Sequence, residues 1–412
     1  MNKKKPIEIL QHDVEIPEVV QNKIDGTLLK IKDESKVSKI VRYDSRDTKS
    51  VTKKSKRRFG LVAAIAALTI TTMSVGAAVY MNWSKGLEES LHVEEAQKHK
   101  LEENKTATFQ EQVAMDQGIT VTATQSITDN YYTYIAFKVE GFDMVEGEQP
   151  DFEHTNATIE GIADEDVRAI GGFYDGTTTG PDGMIVNADG TSLNEVDGMI
   201  IPKYNAEDGS MEYHLTMYSL GAEESLLNKS VHIELENLGT VAKAEYANKV
   251  TGKWVFDIDL QGSDEVREAT VNVPLGDTGA TVIGAEISPI SIGATLNFPR
   301  QTEISKISVD EATQIALAAG IEVEDVETTE EFPVDPPMLC GVKMKDGTLY
   351  PYLYMGSGIF GYSDENSDAF YMRSSIDRIL DTNEVEALLF QKEYAGDGVT
   401  PTEDNFYVVP IS

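Results

Sequence analysis

Hydrophobic residues are most concentrated in residues 59–81, a run of 23 residues without a charged side chain. As an α-helix this run would be about 34 Å long, which is enough to cross a hydrocarbon core of about 30 Å. A cluster of cations precedes it, and Lys and Arg beside a span stay on the cytoplasmic side. The pattern predicts a single-pass membrane protein with a cytoplasmic N-terminus and everything after about residue 82 outside. The residues that indicate this topology are Lys53, Lys54, Lys56, Arg57, Arg58 and, at the outer boundary, Tyr80 and Trp83.

A cleaved signal peptide is the alternative interpretation of residues 59–81. Such a peptide has a short charged leader, an apolar core of about 7–15 residues and a cleavage site made of small residues. Here the preceding segment and the apolar run are both longer than that, although Gly76-Ala77-Ala78 supplies small residues. We therefore favour an uncleaved anchor, and cleavage stays an open alternative.

Residues 16–31 show a second apolar pattern, with one apolar side chain every three or four residues, as on one face of an α-helix. Pro17 suits the first turn of such a helix, and Glu18 complements the helix dipole. An isolated helix of this length is marginally stable in water. We expect its apolar face to lie on the membrane or to bind a partner. The residues of this face are Ile16, Val20, Ile24, Leu28 and Ile31.

After the apolar run, residues 82–108 are rich in Glu, Lys, Gln and Leu, with Leu87, Leu91 and Leu101 spaced as in helices. This composition predicts a juxtamembrane stalk of one or two short helices between the membrane and the folded part of the chain.

From Ile119 onward the apolar residues follow a period of two, which is typical of β-strands. Residues 120–127 and 131–139 are rich in β-branched and aromatic residues and are separated by the turn signal Thr128-Asp129-Asn130. Lys345-Asp346-Gly347 predicts a tight hairpin turn. Further strands are predicted at residues 212–218, 231–238, 254–260, 269–273, 281–292, 342–344, 348–353 and 384–390.

The pattern as a whole predicts a mainly β protein with a short cytoplasmic helix, one transmembrane helix and two antiparallel immunoglobulin-like β-sandwich domains. The second sandwich carries an inserted helix, because Ser308 to Glu311 form a capping box before an apolar stretch that ends at Gly320. We place the break between the sandwiches within residues 239–253. The predicted segments are 1–58 (cytoplasmic), 59–81 (transmembrane), 82–108 (stalk), 109–245 (first sandwich) and 246–412 (second sandwich).

Charge divides the chain at the same point. Residues 1–58 hold 16 Lys and Arg against 9 Asp and Glu, whereas residues 59–412 hold 19 against 61. The basic segment suits an anionic inner leaflet of the lipid bilayer. The acidic part argues against nucleic acid or wall polyanions as its ligands. We interpret the acidic surface chiefly as a means of keeping the outer part soluble.

Candidate chemistry is sparse. We find no H-E-x-x-H, G-x-S-x-G, G-x-x-x-x-G-K-[S/T] or G-x-G-x-x-G motif, and the six His residues are scattered along the chain. A single cysteine, Cys340, excludes an intrachain disulfide and a zinc site built from cysteines. Residues 175–209 repeat Asp-Gly pairs whose oxygens could serve Ca²⁺, but Asp-Gly is also common in hairpin turns. We predict no catalytic residues, no cofactor and no metal site. Whether residues 175–209 bind Ca²⁺ is the one question that the sequence leaves open.

Two stretches resemble an uncharacterised family of single-pass membrane proteins from Gram-positive bacteria. They are the anchor with residues 83–91, reading WSKGLEESL, and residues 121–142, reading VTATQSITDNYYTYIAFKVEGF, and the resemblance extends over about residues 53–141. Members of that family often resemble anti-sigma factors. The resemblance implies a cytoplasmic segment that binds a sigma factor, followed by an anchor and an immunoglobulin-like ectodomain. The Cys/His zinc pattern of one class of anti-sigma domain is absent here, and the family defines no functional residues.

The expected function is that of a membrane-anchored signalling regulator, in which the apolar face of residues 16–31 binds a cytoplasmic sigma factor. The alternative is a cell-surface adhesion or envelope scaffolding protein without enzymatic activity, whose N-terminus serves only to set the topology. Deletion of residues 6–32 separates the two, because adhesion would survive it and regulation would not.

Overall fold

A computed structural model describes residues 83–412 except 145–146, 194, 197–198, 201–203, 205–208, 222–223, 243–244, 307–328, 365, 397–398 and 412. The predicted cytoplasmic helix, the apolar run 59–81 and the predicted helix that starts at Ser308 lie outside the described residues. Among the described residues, no helix is long and apolar enough to cross a membrane.

The described chain begins with a helical segment, residues 83–105, that contains α1 (Lys85–Ser90) and α2 (Glu95–Glu103). The Ser84 hydroxyl group caps α1 by accepting a hydrogen bond from the Leu87 N–H group. A capping box of Glu94 and Gln97 starts α2. The sequence therefore encodes both helix starts locally.

The first sandwich follows the helical segment. Its larger sheet pairs antiparallel strands in the order β1-β2-β3-β10-β5, and the facing sheet has the order β12-β11-β4. Two hairpins, β6 with β7 and β8 with β9, lie between β5 and β10. The strands are β1 (Ala107–Asp116), β2 (Ile119–Thr128), β3 (Tyr132–Glu140), β4 (Gln149–Ile159), β5 (Val167–Phe173), β6 (Thr177–Thr179), β7 (Ile185–Asn187), β8 (Glu195–Val196), β9 (Met199–Ile200), β10 (Met211–Ser219), β11 (Ser230–Ala242) and β12 (Glu245–Asp259).

Alternate residues of both sheets form the core of the first sandwich, as the period of two requires. Phe137 of β3 and Phe256 of β12 come from opposite sheets, and their ring centroids are 4.9 Å apart. Trp254 is fully buried in the same core, and its indole N–H group donates to the Ile119 carbonyl oxygen. Aromatic contacts across the two sheets therefore hold this sandwich together.

The second sandwich has sheets of order β13-β14-β15-β21-β20 and β19-β18-β22-β23, and β16 pairs with β17 in a separate two-stranded sheet. Val282, Leu296 and Phe370 from the first sheet share one buried core with Val342 and Leu388 from the second. The strands are β13 (Arg267–Pro274), β14 (Thr281–Ile287), β15 (Ser291–Asn297), β16 (Gln301–Lys306), β17 (Thr329–Val334), β18 (Leu339–Met344), β19 (Leu349–Tyr350), β20 (Tyr354–Tyr362), β21 (Ala369–Ile376), β22 (Val385–Gln391) and β23 (Phe406–Pro410).

The prediction of a mainly β protein built from antiparallel sheets is confirmed. One predicted domain break and one predicted strand differ clearly from the structure. The predicted break at residue 245 falls inside the β11–β12 hairpin, and the first core extends to Leu260, so the first sandwich ends later than expected. The strand predicted over residues 281–292 is two strands, because the chain reverses between Ile287 and Ser291 around Pro289.

The stalk predicted over residues 82–108 does contain two short helices, but these helices pack on the folded part of the chain. Leu87, Leu91 and Leu101 are almost completely buried against residues of the sandwiches. Leucines at helical spacing indicate an apolar face, but not what covers it. Here the cover is the folded part of the chain itself.

Candidate functional site

Strand β3 is buried on both of its faces. A strand of an ordinary antiparallel sandwich has one face in the core and the other in contact with water. Ile135 and Phe137 point into the first core, whereas Tyr132 and Tyr134 belong to a separate buried cluster on the outer face of the sheet. We call this second cluster the junction. It consists of Leu87, Leu91, Val93, Leu101, Ala107, Ile127, Tyr132, Tyr134, Ala136, Tyr218, Ile290 and Ile379.

The junction joins three parts of the chain, because its residues come from the helical segment, the first sandwich and the second sandwich. Ile379 of the second sandwich donates its N–H group to the carbonyl oxygen of Leu91 at 3.0 Å. The Gln97 side chain donates in turn to the Ile379 carbonyl oxygen at 3.1 Å. The helical segment is therefore bonded through its backbone to the second sandwich while its leucines pack on the first.

Asp129 links the two sandwiches directly. Its carboxylate is fully buried, and Oδ1 accepts the N–H groups of Tyr131 and Tyr132, each at 2.8 Å, which forms the turn between β2 and β3. The other oxygen, Oδ2, accepts the hydroxyl groups of Ser288 and Ser291, the latter at 2.7 Å, in the turn between β14 and β15. One carboxylate thus fixes a local turn and a contact between domains.

Two buried phenol groups of β3 reinforce this contact. The Tyr132 hydroxyl donates to the Arg373 carbonyl oxygen at 3.2 Å, and the Tyr134 hydroxyl donates to the Ile376 carbonyl oxygen at 3.1 Å. Burial raises the pKa of both phenols above their usual range, so both remain donors. Since both acceptors are carbonyl oxygens of β21, these two hydrogen bonds fix the position of β3 of the first sandwich relative to β21 of the second.

Arg373 of β21 lies at the contact between the sandwiches and is 4% exposed. Its guanidinium carbon lies 3.2 Å from the ring centroid of Tyr131 and 4.8 Å from that of Tyr371. The guanidinium also pairs with Glu286 at 2.6 Å. A buried charge is tolerated here because an opposite charge and two aromatic faces surround it.

A polar cluster binds the start of α1 to the outer face of the first sandwich. Glu212 accepts hydrogen bonds from the Ser84 hydroxyl, from the Gly86 N–H group at 3.2 Å and from His214 Nε2 at 2.7 Å. Burial alone would raise the pKa of Glu212, but the bonds from His214, Ser84 and Gly86 outweigh it and lower that pKa. Ser84 and His214 both contact the same carboxylate oxygen, so the histidine does not act on the serine as it does in a catalytic triad.

The hairpin of β6 and β7, which we call the clasp, covers the other end of α1. The Thr178 hydroxyl group contacts His92 Nε2 at 2.9 Å and the Glu89 carbonyl oxygen at 3.3 Å. Just before the clasp, the Tyr174 hydroxyl donates to the Glu89 carboxylate at 2.7 Å. The turn of the clasp reaches the second sandwich, where Gly183 lies so close to the Tyr352 ring that a Cβ atom would collide with it.

A cleft of about 240 Å³ lies between the helical segment and the second sandwich. His92, Glu94 and Gln97 line one side, and Arg378 and Asp381 are among the residues on the other. The lining carries both signs of charge, with four acidic residues and the two cations Lys345 and Arg378. Among the described residues, no group of three or more His, Cys, Asp or Glu is arranged to hold a metal ion.

The described Asp-Gly turns use their carboxylates locally. Asp175 and Asp189 each accept the N–H group of the residue two positions on, at 3.0 Å and 2.9 Å, and Asp182 does the same at 3.1 Å. These contacts are those of ordinary turns formed by aspartate. The run that looked most like a site in the sequence thus forms, in its described first half, the clasp and the turn that follows it.

Most of the residues predicted to bind a partner or to set the topology lie outside the described residues. These are Ile16, Val20, Ile24, Leu28, Ile31, Lys53, Lys54, Lys56, Arg57, Arg58 and Tyr80. Trp83 is described and half-buried: its indole N–H group donates to Glu102 at 2.7 Å, and its ring meets the Phe109 ring edge-on. Sequence reasoning missed the junction, although the apolar side chains on both faces of β3 were a readable signal for it.

Comparison with known proteins gives one family match. Residues 52–141 match the model of a family described as "Domain of unknown function (DUF4179)". A search of curated proteins finds no match. Among solved structures, the crystal structure of the conserved domain protein from Bacillus anthracis is similar over 74% of this chain and 86% of its own, with 12% sequence identity and a TM-score of 0.37.

The matched residues include the helical segment and strands β1 to β3, and they almost coincide with the stretch that resembles the membrane protein family. They contribute Tyr132 and Tyr134 to the junction and Asp129 to the contact between the sandwiches. The partners of these three side chains in the second sandwich, Ser288, Ser291 and β21, lie outside the match.

Proposed function

We propose that the chain is a membrane-anchored signalling regulator, similar to an anti-sigma factor, with residues 1–58 in the cytoplasm and the sandwiches outside. Residues 59–81 would be the anchor, and the two sandwiches would be immunoglobulin-like domains that sense or bind a partner. The apolar face of residues 16–31 would bind a cytoplasmic sigma factor, and the anchor would hold that factor at the membrane.

The observation that best supports this proposal is the position of the helical segment. It starts two residues after the apolar run ends, and it is packed against both sandwiches through the junction. A rearrangement between the sandwiches would therefore alter the contacts of the residues next to the anchor. A passive tether would need no such buried attachment, because a flexible polar linker would serve equally well.

The proposal is tested by capturing the tagged full-length chain from membranes and identifying its bound partners by mass spectrometry. We expect a sigma factor to be recovered, and we expect the double variant Val20→Asp/Ile24→Asp to lose it, because charges on the apolar face prevent burial in a groove. Asn22→Asp is the matched control, since it adds an acid to the opposite side of the same predicted helix.

Loss of the sigma factor with Asn22→Asp as well, or its absence from the unmodified chain, would contradict the regulator proposal. Adhesion or envelope scaffolding is the alternative, and it predicts that partners from outside the cell are retained after deletion of residues 6–32. A regulator would no longer bind the sigma factor after the same deletion, although it would remain in the membrane.

A further inference from the structure

Asp377 places a carboxyl group where the clasp, the first sandwich and the second sandwich meet. It directly follows β21 and is 4% exposed. Its backbone N–H group donates to the Leu353 carbonyl oxygen at 3.1 Å, which fixes its position in the second sandwich. Its side chain lies close enough to the Thr179 side chain of the clasp to be stabilised as a carboxylate by it, and close enough to Tyr134 of β3 to influence that phenol electrostatically. The Asp377 side chain is thus a direct link between the clasp and the second sandwich.

The hydrogen bonding of this carboxyl group is incomplete. Oδ1 of Asp377 is buried and has no hydrogen-bond partner among the described residues. Burial raises the pKa of Asp377 to about 6, although the Thr179 side chain and the positive charge of Arg378 oppose the rise. A neutral carboxyl group is cheaper to bury at this position than a carboxylate, because the missing partner costs more for a charged oxygen.

The other titratable groups around the clasp act differently. Burial and the charge of Arg378 lower the pKa of His92, whose ring contacts Thr178, and a hydrogen bond that the ring donates to the Thr179 backbone partly opposes the shift. Protonation of His92 in acid therefore works against the closed clasp. Burial raises the pKa of Tyr134 above its usual range, so this phenol stays neutral at physiological pH. Arg378, the cation that lowers the pKa of His92, lies over the Tyr350 ring.

We propose that Asp377 is a proton-dependent latch, so that protonation of its carboxyl group tightens the attachment of the clasp and helical segment to the second sandwich. The closed junction takes up the proton more readily than an opened one, in which the carboxyl group meets water. Closing is therefore favoured as the pH falls through about 6, and the added attachment is lost as the pH rises through that value. This inference does not depend on the function proposed above, because it concerns only contacts within the described residues.

The test is hydrogen exchange, measured by mass spectrometry on the full-length chain in detergent micelles, in peptides that cover α1, α2 and the clasp. Asp377→Asn mimics the protonated group at every pH. At about pH 7.5 we expect this variant to be protected at least about tenfold more than the unmodified chain, with about 100-fold as the limit for a pKa raised by about two. At about pH 5 that limit should shrink to about 15-fold, and the variant and the unmodified chain should agree only below the ordinary carboxyl pKa of 3.8, where the group is protonated in the closed and the opened junction alike. Asp368→Asn is the matched control, since it neutralises an exposed carboxylate just before the opposite end of β21.

Two further variants identify the titrating group. Thr179→Val removes the hydroxyl donor and should move the transition in protection to higher pH. His92→Gln should leave the transition near its original pH. Equal protection of Asp377→Asn and the unmodified chain at both pH values would overturn the proposal. Loss of the transition in His92→Gln would also overturn it, by assigning the titration to histidine.

Discussion

Replacing Asp129 by alanine removes the acceptor at the centre of the contact between the sandwiches. The carboxylate accepts four hydrogen bonds, from the N–H groups of Tyr131 and Tyr132 and from the hydroxyl groups of Ser288 and Ser291. Alanine would leave these donors in a site that water does not reach, because Asp129 is fully buried. The variant should therefore weaken the local turn and the contact between domains together.

The size of the effect follows from the number of donors left without an acceptor. Each such donor costs about 1–3 kcal/mol when it is buried. The two serine hydroxyl groups are 2.9 Å apart and can bond to each other, so the two backbone N–H groups carry most of the loss. We expect Asp129→Ala to cost about 3–5 kcal/mol. Asp129→Asn should cost about 1–2 kcal/mol, because its amide oxygen can still accept both N–H groups and its NH₂ group can donate to the hydroxyl oxygens.

The assay is urea unfolding of the full-length chain in detergent micelles, followed by circular dichroism, with hydrogen exchange of β3 and β15 to locate the change. Asp259→Ala is the control, because its exposed carboxylate also accepts a serine hydroxyl group, that of Ser230, at 2.5 Å. Its cost should stay below about 0.5 kcal/mol. A cycle with Ser291→Ala should give a coupling energy of about 1–3 kcal/mol with Asp129→Ala. Equal costs for Asp129→Ala and Asp259→Ala, or fully additive effects in the cycle, would refute the reasoning.

Three further predictions concern the helical segment and the topology. Leu91→Ala should destabilise the chain by about 2–5 kcal/mol in the same urea assay, because Leu91 is 0% exposed. Leu220→Ala, at a 37% exposed site, should cost much less. Similar costs for the two variants would argue against the junction as a packed core. Glu212→Gln should cost about 1–3 kcal/mol at neutral pH, because the pKa of Glu212 is lowered in the folded chain. Stability that comes from a lowered carboxyl pKa is lost as the pH falls through that pKa, so the difference between variant and unmodified chain should vanish in acid. A difference that persists in acid would contradict this origin. Protease added to intact cells should leave a protected N-terminal fragment of about 80 residues, and protection of the C-terminal part or release of the ectodomain by cleavage near Ala78 would contradict the topology.

Much of the fold could be predicted from local pattern. The alternation in β2 and β3, the turn at Asp129 and the hairpin turn at Asp346 depend on residues a few positions apart, and the structure confirms all three. The two short helices of the helical segment were also predictable in kind, because cap residues and leucine spacing are local signals.

The end of the first sandwich illustrates what local pattern cannot decide. Residues 239–253 read as a break because they lie between two predicted strands. In the structure Leu238 pairs with Val250 and Val241 pairs with Tyr246, so the same residues form the closed end of one hairpin. A turn between two strands of one sheet and a link between two domains have the same composition, and only the pairing partner distinguishes them.

The sequence by itself determined about half of the strands, the turns at Asp129 and Asp346, the helical character of residues 83–105 and the long apolar run, because propensity and period act over short stretches of chain. The tertiary structure alone decided that the helical segment is buried, that β3 is covered on both faces and that Asp129 meets Ser291, which is 162 residues away. Those contacts form between surfaces that come together only when both sandwiches have folded, so no local period records them. The candidate site of this protein is made of such contacts, which is why it became visible in the fold and not in the pattern of residues.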